Sequence, residues 1–103
     1  MTEFAHTYDS VTDCASKFVP SENVAFTLVC YLADGKVKTV DSNEVPAYED
    51  EQNATSAALF AISDYEDTCD VYHYGELYGT AEYVDMTPNS WFSSMQAVFS
   101  MPY

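Results

Sequence analysis

The chain has 103 residues, with seventeen Asp and Glu against three Lys and no Arg, a formal net charge of −14, and 48% hydrophobic and 16% aromatic residues. That length suits one domain with one modest core, and the apolar fraction puts the charge on a folded surface rather than on a disordered tail. Nucleic acid and anionic membranes are disfavoured as direct partners, because both need clustered Lys and Arg to replace counterions.

The charge is unevenly laid out. Lys17, Lys36 and Lys38 lie in the first 38 residues, twelve acids and no base fall between Asp41 and Asp85, and no side chain from Met86 to Tyr103 is charged. The middle of the chain therefore carries a negative field that internal ion pairs cannot relieve. The opening "MTEFAHTYDS" has neither the positive n-region nor the apolar h-region of a secretory signal, and no apolar run is long enough to span a bilayer. Cys14, Cys30 and Cys69 are an odd set without CxxC spacing. Together these predict a cytoplasmic protein with reduced thiols, in which the Asn53-Ala54-Thr55 sequon is chance.

In chain order, Phe4, Tyr8, Val11, Ala15 and Phe18 recur at helical spacing and predict a first helix ending before Pro20. The run Val24 to Ala33, then Asp34-Gly35, then a second short run predicts a hairpin with a turn of the primed type, whose central residues need positive φ. The first strand is apolar on both faces and reads as interior, while Lys36 and Lys38 make the second half exposed. Glu49, Asp50 and Glu51 suit the positive end of a helix dipole, and Ala54, Ala57, Ala58, Ala61, Ile62 and Tyr65 form its stripe, with Pro46 ahead of the start.

From Val71 to Asp85, Tyr72, Tyr74, Glu76, Tyr78 and Glu82 alternate with smaller or apolar residues, as expected of one or two strands with a turn or bulge at Gly75 or Gly79. A closing amphipathic helix is predicted, with Thr87 as N-cap, Pro88 at its first position, and Trp91, Phe92, Met95, Val98 and Phe99 on one face. An exposed part of that stripe would offer a homodimer contact. The predicted class is α+β, a small antiparallel β-sheet with two to three helices packed on it in a single domain, residues 1–103.

Chemistry finds little support. Cys69 and His73 are a conceivable nucleophile and base, yet neighbouring acids raise the thiol pKa and disfavour thiolate. "DYEDTCDVYHYGE" begins like a calcium loop with Asp64, Glu66 and Asp70, but Cys69 stands where glycine is required and Gly75 where the closing glutamate belongs. There is no Gly-rich phosphate loop, Walker lysine or zinc-ligand spacing. No catalytic residue, metal or cofactor is predicted, and the chain is not read as an enzyme.

What remains is the surface. Residues 64 to 85 hold seven carboxylates and five tyrosines with no Lys or Arg. Carboxylates on a strand frame match the Lys and Arg that normally grip phosphates, and tyrosine rings can stack on guanidinium groups. The predicted partner-binding residues are Glu49, Asp50, Glu51, Asp64, Glu66, Asp67, Asp70, Glu76 and Glu82, with Tyr72, Tyr74 and Tyr78 as aromatic anchors on one side of a strand. The predicted partner is a basic, nucleic-acid-binding protein, a nuclease or defence effector.

In charge, size and composition the chain resembles the compact acidic proteins by which phages and other mobile elements block restriction enzymes or CRISPR effectors. That likeness implies a stoichiometric inhibitor acting as a nucleic-acid mimic in the host cytoplasm. Two other expectations compete with it: an immunity protein that neutralises a cognate nuclease toxin, and a divalent-cation-binding module.

Overall fold

The computed structural model describes residues 4–86 and 94–102. Its six strands are β1 (His6–Tyr8), β2 (Phe26–Tyr31), β3 (Val37–Asp41), β4 (Thr68–His73), β5 (Glu76–Asp85) and β6 (Met95–Ser100). They form one sheet in the order β1-β3-β2-β4-β5-β6, every pair antiparallel. Two α-helices, α1 (Val11–Lys17) and α2 (Glu51–Ala61), flank it, and a 3-10 turn (Pro46–Glu49) leads into α2.

Strand β2 sits inside the sheet, as its two apolar faces predict. Phe26, Leu28 and Cys30 point to the α2 side, where Ala54, Ala57 and Ala58 let the helix approach closely, and Val71 and Ala81 complete that core. Val29 points to the other side with Val37 and Cys14, under α1. Leu28 and Val71 are fully buried. Truncating either to Ala removes packing that is typically worth about 2–5 kcal/mol.

Helix α2 starts with Asp50 as N-cap, its carboxylate accepting from the Gln52 N–H at 2.8 Å. It ends at Ile62, whose carbonyl accepts from the Tyr83 hydroxyl at 3.2 Å. Pro46 opens the 3-10 turn rather than standing ahead of all helix.

Several expectations are corrected. The predicted first helix divides into β1 and a shorter α1 capped by Ser10, because Ala5 donates to the Thr39 carbonyl and the following residues pair with β3. Strand β3 is therefore interior and mostly buried, not half exposed. The Asp34-Gly35 turn is not of the primed type. Gly35 alone takes positive φ there, and Gly35 N–H bonds back to the Leu32 carbonyl. The primed conformation occurs instead at Tyr74-Gly75, with φ of 49° and 82°, joining β4 to β5.

From Met95 the predicted closing helix is strand β6, since antiparallel pairing with β5 satisfies its backbone and seats Phe99 opposite Ala81. Met95, Val98 and Phe99 of the stripe expected to offer a homodimer contact therefore lie on a strand and not on a helix. Thr87, Pro88, Trp91 and Phe92 lie outside the described residues.

Cys30 and Cys69 are not free thiols. They are directly opposed on β2 and β4 and form a disulfide, fully buried beneath α2. Cys14 is the free cysteine. Among the described residues, no helix is long and apolar enough to cross a membrane.

Candidate partner-binding surface

The register distributes eleven of the twelve predicted contact residues over three regions rather than one strand side, and puts Tyr78 apart from them on the α2 face. Two causes act. Tyr74-Gly75 is a turn, so the run belongs to two strands, and β5 carries one extra residue against β4: Val71 opposes Gly79 while Tyr72 opposes Leu77. Tyr78 is the residue left between, and this bulge resets the alternation. Tyr72 lies on the α1 face with Val29 and Cys14, whereas Tyr78 lies on the α2 face, edge-on to Phe26 at 5.7 Å and beside Phe99 at 6.1 Å.

The first region is the end of the sheet where β4 turns into β5 and α2 begins. Here Tyr74 is 52% exposed. Its ring lies 4.7 Å from that of His73, which stacks on Phe26 at 4.6 Å. Glu76, Glu49, Asp50 and Glu51 are exposed at the same end.

The fold adds three acids that periodicity does not single out. Glu22 comes against the turn, its backbone 3.1 Å from where a Cβ on Gly75 would stand. Asp41 and Glu44 close β3, with His6 Nε2 paired to Glu44 at 2.7 Å. Glu22 is 52 residues from Tyr74 in sequence, so only tertiary structure brings the two together. Asp41 and Glu44 were visible as the start of the acidic field.

The second region is the opposite end, about 17 Å away along β4 at the usual strand rise. Asp64 and Glu66 are exposed there, and Glu82 faces Thr68 half-buried. Asp34, Asp64 and Asp67 line one shallow hollow with Leu32, Ala33 and Ser63.

Asp67 belongs to this end by position but not to its outer surface, being only 3% exposed. It accepts three backbone N–H bonds, from Ala33 at 2.7 Å and from Ser63 and Asp64 at 3.0 Å each. Burial pushes its carboxyl up, and these donors outweigh burial and hold it below the usual range. Its evident work is to tie the loop after α2 to the β2–β3 turn.

The third region is the sheet face beside α1. Asp70 is half-buried there and accepts from the Thr80 hydroxyl at 2.8 Å. Burial raises its pKa, the hydrogen bond opposing only in part. Burial also raises Tyr72, helped by the Asp70 charge. Tyr31, raised mainly by burial, joins Tyr72, Phe18 and Cys14 around an apolar hollow of about 250 Å³.

Among the described residues the ion pairs are His6–Glu44 and Lys17–Asp13. Glu49, Glu51, Asp64, Glu66 and Glu76 are in neither, so no described cation neutralises these exposed acids at the two ends. No group of three or more metal-ligating side chains stands among the described residues. Cys69, being disulfide-bonded, has no thiol to offer His73. Comparison with protein-family models, with curated proteins and with solved structures gave no match.

Proposed function

We propose that this protein is a small acidic inhibitor that occupies the basic nucleic-acid-binding site of another protein, of the kind phages and mobile elements direct against restriction or CRISPR nucleases. It acts by stoichiometric binding, without catalysis or cofactor, in the cytoplasm where such a target works. A disulfide is unusual in a reducing cytoplasm; Cys30–Cys69 is fully buried, which shields its sulfurs from small thiols once it has formed.

The observation that carries the reading is the first acidic end. Tyr74 sits exposed at φ 49°, in a turn position that favours Asn, Asp or Gly. A bulky residue held there costs about 1 kcal/mol or more, and strained positions of this type gather at binding sites. Glu76 and the Glu49–Glu51 run are exposed at the same end of the sheet, free of ion pairs with described cations.

An exposed ring at an end of the sheet that also carries carboxylates is suited to a guanidinium group, which can stack on the face and bond to carboxylate oxygens. The second acidic end lies about 17 Å away along β4 at the usual strand rise, within the span of one protein partner.

Affinity capture of host proteins on the tagged chain at low salt tests this. The bound protein should be released by DNA or RNA, and a Glu49→Lys, Glu51→Lys, Glu76→Lys variant should fail to capture it. A captured protein that nucleic acid does not displace would contradict occupation of a nucleic-acid site.

A further inference from the structure

Strand β6 is one edge of the sheet, and among the described residues no strand pairs with its outer side. The Met86 N–H bond to the Ser94 carbonyl, at 2.9 Å, fixes which of its residues turn outward. Hydrogen-bonded pairs alternate along an antiparallel ladder. Gln96, Val98 and Ser100 therefore bond to Val84, Glu82 and Thr80, while Met95, Ala97 and Phe99 direct their N–H and C=O groups away from β5.

Exposed edges are ordinarily blunted by charge, proline, a bulge or short length. "MQAVFS" has no charge and no proline, and its pairing with β5 runs unbroken over six residues. The other edge, β1, is three residues long and carries the His6–Glu44 pair. The two edges are thus unequal, and among the described residues β6 is the one open to extension.

We infer that β6 pairs antiparallel with β6 of a second copy of this chain, about a twofold axis through Ala97. Charge selects this occupant. Two chains of net charge −14 repel wherever their acids face, and Met86 to Tyr103 is the one long stretch without a charged side chain. A basic protein, by contrast, is drawn to the acidic ends and finds no carboxylate on β6.

The register about Ala97 is self-complementary. Met95 stands opposite Phe99 of the second copy and Ala97 opposite itself, so all three outward-facing residues occupy hydrogen-bonded positions. Met95 and Phe99 lie on the same sheet face, which sets the thioether against the ring, a favourable contact. The result is one continuous sheet carrying both copies' acidic ends.

This inference does not rest on the inhibitor reading, and salt separates them. Sedimentation equilibrium of the full chain should show a monomer–dimer exchange tightened about tenfold by salt, as repulsion is screened, where target binding weakens. Ala97→Pro should abolish the dimer without unfolding the chain, since the Ala97 N–H makes no bond to β5. In the wild type, the Met95, Ala97 and Phe99 amides should exchange more slowly as protein concentration rises, which decides the matter if the proline variant misfolds. A chain monomeric at every concentration and salt, or a dimer that leaves those three amides fast, would overturn the proposal.

Discussion

At the scale of single residues, the acids divide into those that build the fold and those that stand exposed outside the described ion pairs. Asp67 builds. Asp67→Ala removes the acceptor of three part-buried N–H groups and should destabilise the protein by about 1–3 kcal/mol in urea unfolding. Its folded pKa is lowered, so its contribution is present above the ordinary carboxylate range and is lost as pH falls through the folded value. Asp70 has the opposite sign. Its folded pKa is raised, so it weakens the fold as pH climbs past the ordinary carboxylate value and through the folded one. Asp70→Asn, which keeps an oxygen for the Thr80 hydroxyl, should therefore be neutral to stabilising at pH 7, with the gain vanishing in acid. Thermal unfolding of both variants across pH checks the two signs. Tyr74→Asn should stabilise by about 0.5–1 kcal/mol while weakening capture of the target; a gain in stability with capture intact would make Tyr74 a turn residue and no more.

At the scale of elements, Gly79 shows how β5 holds β6. A Cβ there would stand 2.4 Å from the Phe99 ring and 2.8 Å from the Ser100 carbonyl oxygen, and a backbone oxygen in a paired strand cannot yield. Gly79→Ala should cost about 1–3 kcal/mol and speed amide exchange in β6 ahead of β2, as measured by hydrogen exchange.

The same elements show what was legible beforehand. Strand β2 was readable as a β-branched and aromatic run ending at Asp34-Gly35, and α2 with its alanine stripe because it keeps one helical period from its capping acid onward. Strand β6 was not, since Met95, Val98 and Phe99 fit a helical face as well as a strand and the pairing with β5 decides between them. A turn or bulge is expected at Gly75 or Gly79; Gly75 is in the turn and the bulge falls at Tyr78, and its consequence for Tyr72 and Tyr78, on opposite faces, depends on the register. Asp67 looked like any other acid of its loop. Its three donors come from residues 33, 63 and 64, and no local spacing announces a long-range anchor.

At the scale of the whole molecule, the acidic field predicted from Asp41 to Asp85 becomes two acidic ends of one sheet, with a partly apolar face between them. Folding against such a field lowers stability, and the ion pairs His6–Glu44 and Lys17–Asp13 relieve little of it. A basic partner would relieve much more. The account turns on whether exposed carboxylates at these ends take the place of phosphates, and the dependence of target affinity on salt tests that most directly. Affinity of the captured protein for this chain should fall about tenfold or more from low to high ionic strength, in step with its affinity for nucleic acid. An affinity that is unchanged by salt would contradict the account.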